Sequence, residues 1–214
     1  MPVAGLSRRF FDTTRGQIVA LLRRGSQTVD ELAELVGLTD NAVRSHLSTL
    51  ERDGLVRQDG VRRVDGPGKP ATLYEIHPDA EALLSRAYVP VLGALLDELA
   101  AQMASERSAE LMQAVGRRLA AGVPRPRAED ALEVRVRAGA ALLNSLGGDT
   151  QVEQRGGALS IRGCGCPLSA ATARRPEVCR AVESLLSEVV GAPVRETCDR
   201  GDRPQCCFQI GSAA

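Results

Sequence analysis

The stretch Thr28-Val29-Asp30-Glu31-Leu32-Ala33-Glu34-Leu35-Val36-Gly37-Leu38-Thr39-Asp40-Asn41-Ala42-Val43-Arg44-Ser45-His46-Leu47-Ser48-Thr49-Leu50-Glu51-Arg52-Asp53 decides the fold of the first third of the chain. Thr28 and Glu31 have the spacing of a capping box: the threonine hydroxyl accepts from the backbone N–H three residues on, and the glutamate reaches back. Leu32, Leu35 and Val36 are then expected on the buried face of a short helix. Gly37 can adopt the left-handed conformation that ends it, and Thr39 can cap the next helix, Asp40 to Asp53. Upstream, Asp12, Thr13 or Thr14 can cap a first helix with Ile18, Leu21 and Leu22 on one face and Gly25 at its end. Three short helices with one tight turn between the last two make a helix-turn-helix.

At about 100° per residue, Val43, Leu47 and Leu50 of the third helix fall together and must pack inward. Asn41, Ser45, Ser48 and Arg52 then point the opposite way, with Arg44 and Thr49 on the flanks. This is a short polar face of the shape and chemistry that fits a DNA major groove. Downstream, Leu55 to Val64 and Ala71 to Ile76 are β-rich runs around the Gly/Pro-rich tip Asp65 to Pro70, which predicts a hairpin carrying Arg62, Arg63 and Lys69. A helix-turn-helix followed by a basic hairpin is a winged helix. His46 lies beside the apolar stripe and reads as a partly buried histidine bonded within the fold. His77, before Pro78, reads as a domain-edge residue.

The series Thr39-x-x-Ala42-Val43-x-x-His46-Leu47-x-x-Leu50-Glu51-x-x-Gly54-Leu55-Val56, followed by Gly68-Lys69-Pro70-Ala71-x-x-Tyr74, resembles the ArsR/DeoR-type winged-helix repressors over about the first 77 residues. The resemblance implies that the helix from Asp40 to Asp53 enters the major groove and that the wing touches backbone or minor groove.

Composition bounds the rest. Lys+Arg and Asp+Glu both number 27, so an acidic partner such as DNA must be met by a local patch and not by overall charge. Three Phe, two Tyr and no Trp argue against base stacking as the mode of nucleic-acid binding. No run approaches the roughly 20 apolar residues of a membrane span, and no signal-peptide pattern follows Met1, which predicts a cytoplasmic chain without a membrane partner. Asp79 to Met103, with Leu84, Tyr88, Val91 or Leu92, Leu95 and Leu99 at helical spacing, and Glu106 to Ala121 are expected to be helices, with Pro90 at a kink or fresh start. Their apolar faces suit either packing within the chain or a dimer seam. A homodimer is expected, because two recognition helices on a palindromic operator double the base contacts. Three parts follow: a DNA-binding domain over 1–77, a helical connector over 78–127, and a sensor domain over 128–214.

That last part holds all six cysteines: Cys164, Cys166, Cys179, Cys198, Cys206 and Cys207. Its pattern predicts helices from Ala128 to Leu146 and from Pro176 to Gly191. It also predicts a hairpin around Arg155-Gly156-Gly157 and strands at Val194 to Cys198 and Gln205 to Ile210, a small α+β module in an otherwise mainly α chain. In a reducing compartment, an even cysteine count reads as metal binding or redox chemistry ahead of a disulfide framework. Twelve residues separate Cys166 from Cys179, unlike the Cys-x-x-Cys pairs of structural zinc, and no histidine is nearby; cluster ligation accommodates such spacing. Strand alternation sends Cys206 and Cys207 to opposite faces. An enzyme using a Cys-His pair is disfavoured, because both histidines precede residue 78.

Cys166-Pro167-Leu168, Pro176-x-Val178-Cys179-x-x-x-Glu183, Gly191 and Gly201-Asp202-x-x-x-Cys206-Cys207-Phe208-x-Ile210 resemble the SufR-type regulators, winged-helix repressors of iron–sulfur cluster assembly genes. The resemblance implies a non-enzymatic dimeric repressor carrying an iron–sulfur cluster, 4Fe–4S by likeness; a 2Fe–2S cluster, a structural zinc or a thiol–disulfide switch in its place are the alternatives the cysteines leave open. It makes Cys166 and Cys179 ligands, with a third from the pair Cys206 and Cys207. The fourth stays open among Cys207, Cys198, Cys164 and a non-cysteine group.

Overall fold

A computed structural model of the chain describes residues 9–63, 70–85, 87–199 and 205–211. It is a mixed α/β chain with an N-terminal helix-turn-helix, and it separates into two compact units, Met1–Arg86 and Ala87–Ala214.

In the first unit, α1 (Thr14–Leu22) is capped by the Thr13 hydroxyl, which accepts the Gly16 N–H at 3.2 Å. The strand β1 (Gln27–Thr28) leads into α2 (Val29–Val36) through the capping box: Glu31 N–H donates to the Thr28 hydroxyl at 3.3 Å, and Thr28 N–H to the Glu31 carboxylate at 2.8 Å. Gly37 ends α2 at φ 69°, and Thr39 caps α3 (Asp40–Arg52). Then β2 (Val56–Arg62) and β3 (Ala71–Ile76) pair antiparallel, and β1 adds to β3 in the order β1-β3-β2. This wing bulges between Gln58 and Val61, where Gly60 takes φ 83°. A short helix, α4 (Pro78–Leu84), completes the unit. Ile18, Leu22, Leu32, Val43, Leu47, Leu50 and Val56 form its core. Truncating one such leucine to alanine costs about 2–5 kcal/mol.

One sequence expectation fails here. Leu35 is 59% exposed, and the buried residues of α2 are Val29, Leu32 and Ala33, with Val36 packed beside them. At 100° per residue these four span an arc of about 100°, and Leu35 lies roughly a third of a turn off its centre.

In the second unit, α5 (Tyr88–Gln102) and α6 (Ser105–Ala120) precede α7 (Leu132–Ser145). A four-stranded antiparallel sheet follows, ordered β4-β5-β7-β6 from β4 (Thr150–Arg155), β5 (Ala158–Cys164), β6 (Val194–Glu196) and β7 (Gln205–Ile210). Between β5 and β6 run α8 (Ser169–Thr172), a single 3₁₀ turn (Pro176–Val178) and α9 (Cys179–Val190), which Gly191 closes at φ 63°. Val136, Ala140 and Leu143 of α7 and Leu186 and Val190 of α9 cover one sheet face, meeting Ile161, Phe208 and Ile210. On its other side α9 packs against α6, and the approach is close: a methyl on Gly116 would lie 2.2 Å from the Ala181 carbonyl oxygen.

The sequence divides at residues 77 and 127, but the contacts divide the chain once. The helix α4 closes the first unit, while α5 and α6 belong to the second because their buried residues, Leu96, Met112 and Ala120, pack on α8, α9 and the turn between them. Pro90 sits in the first turn of α5, a fresh start and not a kink. The helix expected from Ala128 begins only at Leu132, since the Asp130 carboxylate accepts the Arg127 N–H at 2.8 Å and holds a turn there.

Candidate functional site

On α3, Asn41, Arg44, Ser45, Ser48 and Arg52 are all exposed, while Val43, Leu47 and Leu50 are buried, so the helix presents the polar surface that its periodicity predicts. Thr49 is turned back, its hydroxyl donating to the Ser45 carbonyl at 3.1 Å, and Arg52 pairs loosely with the adjacent Asp53 at 3.4 Å. Arg63 is exposed at the end of β2. Arg62, expected to serve DNA, donates to Glu31 at 2.5 Å and so ties the wing to the capping box of α2. That bond, after the Thr28 backbone bond, holds the Glu31 carboxyl below its ordinary range. Lys69 lies outside the described residues.

The thiols divide into two groups. Cys166 follows β5 and places its sulfur 3.8 Å from the Thr172 hydroxyl of α8. Cys179 is the first residue of α9 and is buried. Cys198 lies two residues past β6, and Cys206 points from β7 into the core beside Phe208. These four line one small pocket with Thr172, Asp199 and Gln205. Cys166, Cys179 and Cys206 also line an apolar cavity of about 250 Å³, walled by residues such as Leu143, Leu168, Leu185 and Phe208. The N-terminal end of α9, the positive end of its dipole, meets the thiols at Cys179 and favours negative charge gathered there.

Cys207 belongs to the other group. Its neighbours across the sheet are Arg162 and, through its N–H and carbonyl, the segment Thr197–Cys198. The side chain lines a polar groove with Arg155, Arg162 and Arg195 on the sheet face away from the helices. Of the four cysteines taken from the sequence, Cys166, Cys179 and Cys206 are therefore brought together. Cys207 is not, because residues two apart share a face and Phe208 and Ile210 commit Cys206 to the core. Cys198 takes its place. Cys164 is exposed at the end of β5.

The surroundings of Cys198 are tightly built. Its N–H donates to Glu196 Oε1 at 2.7 Å, and its sulfur accepts the Cys207 N–H at 3.2 Å. The Glu196 N–H in turn donates to the buried Glu183 of α9 at 2.6 Å, and Arg180 donates to the same carboxylate at 2.7 Å. A bond with the Cys179 thiol favours the Cys198 thiolate. The bond to Cys206, burial and the nearby Glu196 outweigh it and push the Cys198 thiol up to about 12. Donor atoms of Cys179, Glu196 and Cys198 all lie within 4.8 Å of one another. Glu196 had no place in the sequence reading. The signal available was its separation of two from Cys198, which puts both on one side of an extended segment.

Residues 12–58, the helix-turn-helix and the start of the wing, match the family described as bacterial regulatory protein, arsR family. Among solved structures, a double mutant of Lactococcus lactis ZitR in apo form is similar, with a TM-score of 0.30 and 17% identity, covering 56% of this chain and 85% of that one. A second structure of the same ZitR mutant has a TM-score of 0.29 and 18% identity, covering 50% and 70%. No curated protein matches the chain. Among the described residues, no helix is long and apolar enough to cross a membrane.

Proposed function

We propose that this chain is a cytoplasmic, homodimeric transcriptional repressor whose second unit holds a 4Fe–4S cluster and reports cluster supply to the genes that build such clusters, as in the SufR-type regulators it resembles. The observation that carries the reading is the meeting of Cys166, Cys179, Cys198 and Cys206, from four separate segments, around one pocket. Four thiolates are the donor set of such clusters, and the adjoining apolar cavity provides room and walls that keep water away. When bound, the cluster supplies an iron–sulfide core whose integrity depends on iron supply and on oxidants.

The chain's own part is mechanical. The four ligands sit at the exit of β5, the start of α9, the segment after β6 and the start of β7, so a shared centre ties these elements into one packing. Without it, Cys198 is held by Glu196 and the Cys207 amide, while the Cys166 sulfur has a long contact with the Thr172 hydroxyl. Because α6 packs intimately on α9, a change at Cys179 is felt by the helices nearest the DNA-binding unit in sequence. Dimerisation is supported by α5, where Tyr88, Val91 and Leu95 at helical spacing are 63%, 64% and 53% exposed, an apolar stripe that a second copy can cover. Asn41, Arg44, Ser45, Ser48 and Arg52 read bases, and Arg63 and Lys69 meet phosphates.

The test is a band-shift titration of a palindromic operator selected from random DNA, with the chain loaded anaerobically and again after its iron is removed. At least a tenfold difference in affinity is expected, the ordinary size of allosteric coupling being about 5–150-fold. Equal affinity in the two forms removes the sensing role.

A further inference from the structure

We propose that Cys179, Cys198 and Glu196 form a second, mononuclear site that shares its two thiols with this pocket, taking a borderline divalent cation such as Zn(II) or Fe(II) when no cluster is present. The inference rests on the reading of the pocket as a thiolate metal centre, but it uses a different donor set. Two sulfurs and one carboxylate oxygen all lie within 4.8 Å of one another. In a tetrahedral zinc site, sulfurs about 2.3 Å from the ion stand about 3.8 Å apart, so the three donors need to close by about 1 Å at most. Cys166 and Cys206 line the pocket without belonging to this tight group. A single ion therefore finds three donors near bonding separation, whereas a cluster, being larger, can reach all four thiols.

The supporting shell has the form that metal ligands require, with each donor oriented by a further bond. Glu196 Oε1 accepts the Cys198 N–H at 2.7 Å, which fixes carboxylate and thiol relative to each other. Glu183, clamped by Arg180 at 2.7 Å, accepts the Glu196 N–H at 2.6 Å and anchors the segment to α9, whose first residue is Cys179. The Cys207 N–H points at the Cys198 sulfur. Two thiolates and a carboxylate give three negative charges against two positive, with the N-terminal end of α9 beside the surplus. Three protein donors leave the fourth position of a tetrahedral ion open to exchange. Cys179 and Cys198 serve both states, so the two occupancies exclude each other: a chain holding the single ion cannot take up a cluster until the ion leaves.

The experiment is an anaerobic titration of the full-length, metal-free, reduced chain with Co(II), followed by the sulfur-to-cobalt absorption in the near ultraviolet and the visible bands of tetrahedral cobalt, with Zn(II) as competitor. One cobalt per chain is expected. Glu196→Gln and Cys198→Ser should weaken binding about tenfold or more, while Cys166→Ser and Cys206→Ser should not. Cys198→Ser should also lower the near-ultraviolet band by about half, one of two sulfur donors being gone. Glu196→Asp, which keeps an oxygen donor, should bind cobalt better than Glu196→Gln. Equal affinity in Glu196→Gln overturns the site, as does a loss in Cys166→Ser matching that in Cys198→Ser. A wild-type chain that assembles a cluster yet takes no cobalt sinks this inference alone. A chain that binds cobalt through the triad but never holds acid-labile sulfide sinks the cluster reading and leaves this site standing.

Discussion

The main-chain N–H of Cys207 donates to the sulfur of Cys198 at 3.2 Å, so the member of the adjacent pair that faces away from the pocket still touches it through its backbone. The side chain of Cys207 is not needed for that bond. Cys207→Ser should therefore keep the iron and acid-labile sulfide content of the wild type, while Cys198→Ser should lower both; the assay is iron and sulfide per chain after anaerobic purification. Loss of the cluster in Cys207→Ser alone would mean that the sheet face away from the helices supplies the ligand.

Thiol reactivity separates the same residues in the metal-free chain. The thiolate is the nucleophile, and Cys198, pushed up to about 12, keeps its proton at pH 8, whereas Cys164 is exposed at a strand end. Brief iodoacetamide labelling with peptide mass spectrometry should modify Cys164 first and Cys198 slowly. The Cys198 rate should climb as pH rises toward the raised value. Rapid labelling of Cys198 at pH 8 would contradict the network around it.

In the first unit, Thr28→Ala should cost about 1 kcal/mol in chemical denaturation, the usual value of a lost helix cap. The Glu31 carboxyl is held low by the Thr28 N–H and by Arg62. A depressed folded value means that its contribution is present above the unfolded value of about 4.3 and is lost as pH falls through the folded one. The stability gap between wild type and Glu31→Gln should accordingly be open at pH 7 and close in acid. A gap independent of pH would show that Arg62 and Thr28 do not hold the charge.

Packing of the second unit turns on Gly116, where a methyl would stand 2.2 Å from the Ala181 carbonyl oxygen and 2.7 Å from Ser184 Cβ. Backbone cannot yield as a flexible side chain does. Gly116→Ala should destabilise the unit by about 1–3 kcal/mol and move α6 off α9, seen as a lower unfolding midpoint.

DNA contacts divide by role. If Arg44 reads a base edge, Arg44→Ala should cost about 1–3 kcal/mol at one operator position and relax selectivity there. Arg63→Ala should weaken all sequences alike and reduce the salt slope by about one. Arg62, engaged with Glu31, should matter less than Arg63. A uniform loss from Arg44→Ala would make it a phosphate contact.

The helix-turn-helix was legible because its signals are local: a capping box closes within three residues, Gly37 takes the left-handed φ of 69°, and periodicity selects Val43, Leu47 and Leu50. Leu35 escaped because an eight-residue helix gives too few turns to fix its arc. Among the thiols, alternation alone showed that Cys206 and Cys207 part company. Which of them faces the core depends on pairings such as Ile161 with Phe208, set by residues far apart in the chain. Glu196 was out of reach, and Cys198 could not be chosen from among the fourth-ligand candidates, for the same reason, since the bond that Glu196 N–H donates to Glu183 across the α9–β6 turn places them.

Four sulfurs sharing one iron–sulfur centre would give the chain a visible chromophore, so the decisive measurement is the absorption spectrum of the chain purified without oxygen, with iron and acid-labile sulfide counted on the same sample. A brown protein is expected, with broad visible absorption and about four irons and four sulfides per chain, all lost when Cys166 or Cys179 is replaced by serine. A colourless chain that carries zinc, or no metal at all, under those conditions contradicts the shared centre.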